Sequence, residues 1–142
     1  MLGRNSYTQQ ELDVAKKAIA QQLAAYKKLF KAVEGATSDP KVAAAREGFE
    51  PLFFNNLTLV LDRYFVHRVR LVTGKDTNPL NEVELISECL LNDGVLRANK
   101  VIKYVSSESV AKLEIGDQIL LTAVQFERLS KAFFAAIESK FL

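Results

Sequence analysis

The spacing of apolar residues along the chain predicts a mainly helical protein. From Leu12 to Val33, apolar positions recur three and four residues apart, the period of a helix face that packs on a core. Thr8 and Glu11 precede them with the spacing of a capping box, in which each side chain satisfies a free backbone donor at a helix start. We therefore predict a first helix that begins after Thr8. It ends at Gly35, because glycine suits a left-handed C-cap.

Prolines and glycines divide the next part of the chain. Asp39-Pro40 has the pattern of an N-cap followed by a first-turn proline, and it predicts a short helix through Val42–Arg46 that stops at Gly48. Glu50-Pro51 repeats the start signal and predicts a longer helix over residues 51–72. The pattern leaves open whether the bend between them separates two helices or kinks one.

Two further helices follow from capping signals. Asn81 and Glu84 have the spacing of a capping box, and they predict a helix that continues to about Asn92. Thr122 and Gln125 repeat that spacing before the apolar residues of a C-terminal helix.

Between these last two helices the apolar period changes to two, which is typical of strands. Within residues 110–121, Gly116-Asp117 predicts a two-residue turn and therefore an antiparallel hairpin. Residues 100–105 are a possible third strand. The predicted fold class is mainly α (α+β): four main helices, one short helix and a small hairpin before the C-terminal helix. We expect one domain over residues 1–142, of which residues 1–7 form a flexible N-terminal segment.

A polar stripe is the strongest candidate for a functional site. On the predicted helix over residues 51–72, four side chains fall within roughly a 60° arc at about 100° per residue: Asn56, Arg63, His67 and Arg70. The stripe holds the only histidine of the protein. Guanidinium, imidazole and amide groups together suit a carboxylate or a phosphate. The stripe, extended by Asn55, therefore predicts a small-molecule or anion-binding site.

Two other interpretations of the stripe stay open. It can be a solvated face, or it can supply polar contacts between helices, with Asp62 paired to an arginine. Asn55 and Asn56 lie in an apolar setting and need partners if they are buried. The loop Asp76–Asn81 could supply those partners, and turn chemistry accounts for its own polar residues without a ligand.

Composition narrows the class of protein. The net charge is +2, from 19 basic and 17 acidic residues, so nucleic-acid binding is not expected. No apolar run is long enough to cross a membrane, and Met1–Tyr7 lacks the apolar core of a secretory signal. We expect a cytoplasmic protein. A single cysteine, Cys89, excludes an intramolecular disulfide, and its position on a helix predicts that it is buried.

The sequence predicts no catalytic residue, no metal site and no cofactor, so we lean against an enzyme. One histidine and one cysteine do not form a metal-ligand set. Glu82, Glu84 and Glu88 have the spacing of a solvated helix face. A nucleophile elbow of the pattern GxSxG is missing.

Association is the function that the apolar pattern favours. Four amphipathic helices and a hairpin offer more apolar surface than a chain of this size covers, and such a surplus often marks an interface. We therefore predict a non-enzymatic protein that acts as a homodimer. The candidate interface residues are Phe133, Phe134, Phe141 and Leu142.

Three segments carry a resemblance to a known family. They are FFNNLTLVLDRYFVHRVR, TGKDTNPLNEVEL and IGDQILLTAVQFERL, which lie between Phe53 and Phe141. In overall pattern, the chain resembles an uncharacterised actinobacterial-type family of small bacterial proteins. The resemblance implies a bacterial cytoplasmic setting, and it implies no activity, cofactor or site residue.

Overall fold

Five α-helices account for most of the chain. A computed structural model describes residues 3–142. The helices are α1 (Gln9–Ala36), α2 (Pro40–Arg63), α3 (Arg70–Thr73), α4 (Pro79–Leu90) and α5 (Ala123–Phe141), with a 3₁₀ turn at Ser106–Glu108.

Capping side chains define three of the helix starts, as predicted. Thr8 donates its backbone N–H to the Glu11 carboxylate (2.7 Å), and Thr8 Oγ1 accepts from the Glu11 N–H (3.2 Å). Thr122 forms the same reciprocal capping box with residue 125 before α5. Asp39 caps α2, and Pro40 occupies its first turn. These local signals need no tertiary contact to act, which is why the sequence predicts them well.

Other helix boundaries differ from the prediction. Helix α1 continues past Gly35 and ends at Ala36. Its C-cap residue, Thr37, has an extended backbone conformation. Helix α4 begins earlier than predicted, because Asn78 is its N-cap and accepts from the Asn81 N–H (3.1 Å). Asn81 therefore lies inside the first turn of α4, where its side chain is buried.

Helix α2 is continuous through Pro51, so the bend that the sequence left open at residues 48–51 does not separate two helices. Pro51 costs the helix one backbone hydrogen bond. Packing on both sides of the proline compensates, since the rings of Phe49 and Phe53 both stack on Tyr26 of α1, with centroids 6.2 and 5.8 Å away. Helix α2 then ends at Arg63, nine residues earlier than the predicted end at residue 72.

Helix α5 organises the core because it packs against each of the other four helices. The predicted interface residues Phe133, Phe134 and Phe141 belong to this core, with 0, 7 and 2% of their surfaces exposed. Their assignment to an interface is therefore wrong, since the surplus apolar surface at this end is used within the protomer. Leu142 is exposed.

The predicted β-hairpin is wrong, and with it the α+β class: residues 3–142 contain helices and isolated bridges, with no sheet. A turn does form, and Gly116 adopts a φ of 99° in it. The chain around the turn pairs with the segment after α4 instead of with itself. Gly116 N–H donates to the Leu96 carbonyl (2.7 Å), and Leu96 N–H donates to the Asp117 carbonyl (2.8 Å).

Residues 91–122 follow an irregular path that side chains of the helices hold in place. The carboxylate of Glu82 on α4 accepts from the backbone N–H groups of Val110 (2.8 Å) and Ala111 (2.9 Å). The predicted third strand over residues 100–105 is attached instead by a backbone hydrogen bond to the loop before α4. Its Lys103 N–H donates to the carbonyl of residue 75 (2.7 Å).

Asn55 on α2 fixes a second part of this irregular segment. Its amide Nδ2 donates to the Ile119 carbonyl (2.8 Å), and its Oδ1 accepts from the Leu121 N–H (3.1 Å). The amide side chain thus takes the place of a neighbouring strand. The loop Asp76–Asn81, which the sequence suggested as a partner, does not bond with Asn55.

Residues 4–7 are attached to the helices, although the sequence predicts a flexible segment over residues 1–7; residues 1 and 2 lie outside the described residues. Arg4 N–H donates to the His67 carbonyl (2.7 Å), and the Arg4 carbonyl accepts from the Val69 N–H (3.0 Å). Tyr7 is buried, and its N–H donates to the carbonyl of Phe141 (2.9 Å).

The first prediction concerns acid sensitivity at this attachment. Hydrogen bonds from the Arg4 guanidinium (2.6 and 3.0 Å), and then from the Thr8 N–H, lower the pKa of Glu11 from 4.5 to about 2. A lowered folded-state pKa contributes stability above pH 4.5 that is lost as the pH falls toward 2. Glu11→Gln should therefore lower the free energy of unfolding most above pH 4.5, and the deficit should vanish near pH 2. Urea unfolding at several pH values measures it, and a deficit that is independent of pH would contradict this account.

The second prediction concerns Asn55. Asn55→Ala leaves a buried N–H and a carbonyl without partners, and we expect it to lower the free energy of unfolding by about 1–3 kcal/mol. Asn56→Ala is the matched control, because Asn56 is exposed and has no hydrogen-bond partner within residues 3–142. Urea unfolding at low protein concentration makes the comparison. Equal effects of the two variants would show that the Asn55 bonds do not stabilise the fold.

Candidate functional site

The structure divides the predicted polar stripe at the end of α2. Asn56 and Arg63 lie on one exposed face of this helix. His67 lies in the turn that follows, and Arg70 begins α3. The four side chains therefore do not share a helix face, and the geometry that favoured a converging anion site is not formed.

His67 marks the turn that ends the predicted helix. Its φ is 63°, in the left-handed region that non-glycine residues seldom adopt. Its backbone carbonyl accepts from Arg4, and its exposed imidazole has no hydrogen-bond partner among the described residues. The sequence has neither glycine nor proline here, so no ordinary helix-stop signal predicts the turn.

Arg70 is already engaged within the protein. Its guanidinium donates to Asn81 Oδ1 (2.7 Å) and to the Gly74 carbonyl (3.1 Å), and it also pairs with Glu84. An incoming anion would have to replace these partners. Arg70 therefore serves to join α3 to α4.

Arg68, which the sequence analysis did not select, is the most deeply buried arginine of this region. Only 4% of its side chain is exposed, and its Nη2 lies 2.7 Å from Asp62 Oδ1 and 3.8 Å from Glu84 Oε1. Its guanidinium carbon lies 5.4 Å from the ring centroid of Phe133. This arrangement matches the third interpretation of the stripe, in which Asp62 pairs with an arginine between helices. The spacing alone does not show which arginine is involved.

The loop before α4 satisfies its own polar groups. Asn81 Nδ2 donates to the carbonyls of Asp76 (2.8 Å) and Gly74 (3.2 Å). Asn78 Nδ2 donates to the Thr73 carbonyl (2.7 Å) and to Asp76 Oδ1 (2.9 Å). These bonds give the loop a structural role, as its turn chemistry suggested.

Two of the three glutamates predicted to form a solvated face are instead used internally. Glu82 has 1% of its surface exposed, and this burial raises its pKa, although the two backbone N–H donors oppose the shift. Glu84 is half-buried between two arginines, and Glu88 is exposed. Within residues 3–142, no group of three or more histidine, cysteine or acidic side chains is placed to hold a metal ion.

Cys89 is buried on α4, as predicted. Its Sγ accepts from the Arg97 N–H at 3.3 Å, so the thiol helps to position the chain after α4. This contact gives the cysteine a packing role.

One side of α2 carries a row of partly to largely exposed apolar side chains with two polar residues among them, which we call the α2 face. Leu52 has 73% of its surface exposed, Phe49 has 41% and Tyr64 has 39%. The α2 face consists of Phe49, Leu52, Phe53, Asn56, Leu59, Val60, Arg63 and Tyr64.

Two adjoining shallow depressions follow the α2 face. Their volumes are about 350 and 370 Å³, and Val60 lines both. Arg63 lies in the first and Asn56 in the second, so two members of the predicted stripe belong to this surface. The sequence does not predict this surface, because its apolar pattern pointed to interface residues at the C-terminal end.

No protein-family model, curated protein or solved structure matches the sequence. The resemblance to small actinobacterial-type proteins stays a prediction from the sequence. Over residues 3–142, none of the helices combines the length and the apolar character that a bilayer crossing requires.

The third prediction concerns the buried arginine. Arg68→Ala removes the partner of Asp62 and uncovers Phe133, and we expect it to lower the free energy of unfolding by about 3 kcal/mol. Arg128→Ala is the control, because Arg128 is exposed on α5 and forms no ion pair with the described residues. Its expected effect is within about 0.5 kcal/mol. Chemical denaturation compares the two variants, and a loss below about 1 kcal/mol for Arg68→Ala would contradict the role given to this arginine.

Proposed function

We propose that this is a non-enzymatic protein that acts by self-association, in which two copies pair through the α2 face. The exposed apolar row along α2 is the observation that carries the proposal. A cytoplasmic location is part of the same proposal. It is supported by the composition, because a chain with a single cysteine has no intramolecular disulfide, as is usual for proteins of reducing compartments.

Exposure of the α2 face to water carries a free-energy cost. Contiguous apolar surface is uncommon on monomeric proteins and marks interaction sites. Complete burial of a leucine or phenylalanine side chain contributes about 1.5–3 kcal/mol. Leu52 and Phe49 are exposed enough to gain a large part of this contribution, and Arg63 is the one charged residue of the face. Association therefore removes much apolar surface and desolvates little charge.

The composition of the α2 face favours a second copy as the partner. Pairing of identical copies by two-fold symmetry is the commonest form of association. The face presents no cluster of like charges to attract an acidic or basic partner, and its polar centre is Asn56, whose amide both donates and accepts. When two identical surfaces of this kind meet, the hydrogen-bonding groups of one can pair with those of the other.

The alternative that the sequence offered, a small-molecule or anion-binding domain, gains no support from the geometry. It required convergence of Asn56, Arg63, His67 and Arg70. Arg70 is bonded to α4 and the loop before it, and His67 lies in a turn beyond α2. Asn55, the fifth residue of that hypothesis, holds residues 119 and 121.

The fourth prediction tests self-association with matched leucine variants. Sedimentation velocity should show the unmodified protein as a dimer that dissociates on dilution through the micromolar range. Leu52→Glu places a charge within the α2 face, and we expect it to raise the dissociation constant at least about 100-fold, which corresponds to roughly 2.7 kcal/mol. Leu71→Glu is the control, since Leu71 is 92% exposed on α3 and lies outside the α2 face.

Two results would contradict the proposal. One is an unmodified protein that remains monomeric at concentrations of about 100 µM. The other is a dimer that both glutamate variants weaken equally, or that only Leu71→Glu weakens. Circular dichroism of each variant would establish that it keeps its helices.

A further inference from the structure

We infer that the two copies pair in antiparallel orientation, with the two-fold axis beside Asn56, so that Arg63 of each copy covers Phe49 of the other. The inference rests on the proposed self-association and adds its register. It follows from the order of residues on the α2 face and from the position of the single charge on it.

Apart from Tyr64, the positions of the α2 face are symmetric about Asn56. Phe49 lies seven residues before Asn56, and Arg63 lies seven residues after it. A two-fold axis perpendicular to the helix and passing beside Asn56 places the part before Asn56 against the part after it. Each Phe49 then faces an Arg63, and Asn56 faces its own copy.

The two edges of the α2 face obey the same symmetry. At about 100° per residue, Leu52 and Leu59 lie along one edge, and Phe53 and Val60 lie along the other. In each pair, one residue lies three positions from Asn56 along the sequence, and the other lies four positions from it. The antiparallel arrangement keeps like edges together, so leucine packs on leucine along one edge and phenylalanine packs on valine along the other.

The polar groups of the α2 face find complementary partners in this register. Asn56 has no hydrogen-bond partner within residues 3–142, and its amide can donate to and accept from the amide of its copy. Arg63 likewise forms no ion pair with the described residues. A guanidinium placed over an aromatic ring is attracted by the ring electrons, and Phe49 is exposed enough to provide that ring.

The charge of Arg63 disfavours the parallel arrangement. In a parallel pair the two Arg63 guanidinium groups would meet inside an apolar contact, which is unfavourable for like charges. In the antiparallel pair they lie on opposite ends, separated along the helix axis by 14 residues, or about 21 Å at 1.5 Å per residue. This separation exceeds the screening length of about 8 Å at physiological salt.

Cysteine cross-linking tests the register, and this is the fifth prediction. Under mild oxidation, Asn56→Cys should form a covalent dimer with itself. A mixture of Phe49→Cys and Arg63→Cys should form several-fold more covalent dimer than either variant alone. The unmodified protein is the control, because its Cys89 is buried and should not cross-link. Sedimentation of each reduced variant at the same concentration establishes how much dimer is present before oxidation.

The outcomes separate the register from self-association itself. Strong cross-linking of Phe49→Cys alone and of Arg63→Cys alone, with no gain on mixing, would overturn the antiparallel register and leave self-association intact. A dimer that Leu52→Glu disrupts, but in which Asn56→Cys does not cross-link, would also overturn it. If the unmodified protein is monomeric, that result would instead contradict the proposed function itself.

Spin labels provide a second measurement that does not depend on disulfide chemistry. In the antiparallel register, labels at position 56 should be close to each other, and labels at position 63 should be separated by 20 Å or more, since the helical rise alone contributes about 21 Å. Short distances at both positions would indicate a parallel pair and overturn the inference.

Discussion

The fold depends on the requirement that buried peptide groups find hydrogen-bond partners. Apart from the 3₁₀ turn at Ser106–Glu108, residues 91–122 run against the helices without forming a helix or a sheet, so most of their backbone groups need other partners. The Glu82 carboxylate and the Asn55 amide take that role from α4 and α2. A buried peptide group without a partner costs about 1–3 kcal/mol, so these two polar side chains help to determine the path of the segment. Burial of a carboxylate is tolerated because two N–H donors face it.

Helix α2 buries one side in the core of the protomer and leaves much of its other side exposed. Phe54, Leu57 and Leu61 are buried against the core, whereas the α2 face points outward. The adjacent asparagines illustrate this division, because successive residues of a helix are rotated by about 100°. Asn55 turns toward the irregular segment and bonds with its backbone, and Asn56 turns toward solvent and has no partner within the described chain.

The sequence predicts those parts of the fold that depend on neighbouring residues, and it fails where distant contacts decide. The capping box at Thr8 is local and was predicted correctly. The sequence does not predict the end of α2, because no residue there is an ordinary helix stop. The turn is determined instead by burial of Phe65 and Arg68 in the core. The apolar alternation near Gly116 suggested a hairpin, since an extended segment that buries alternate side chains has the same period as a strand. As for the site, the sequence indicated that Asp62 could pair with an arginine, but the choice of arginine depends on the turn.

The contact between Tyr7 and Phe141 has a consequence for the timing of folding. The two residues lie 134 positions apart (141 minus 7), and their backbone groups are joined by a hydrogen bond. Helix α5, which packs against each of the other helices, is synthesised after all of them. During synthesis, α1, α2 and α4 therefore emerge with their inward apolar sides uncovered. The core can close only once α5 has left the ribosome, and until then these helices expose apolar surface, the condition under which nascent chains aggregate.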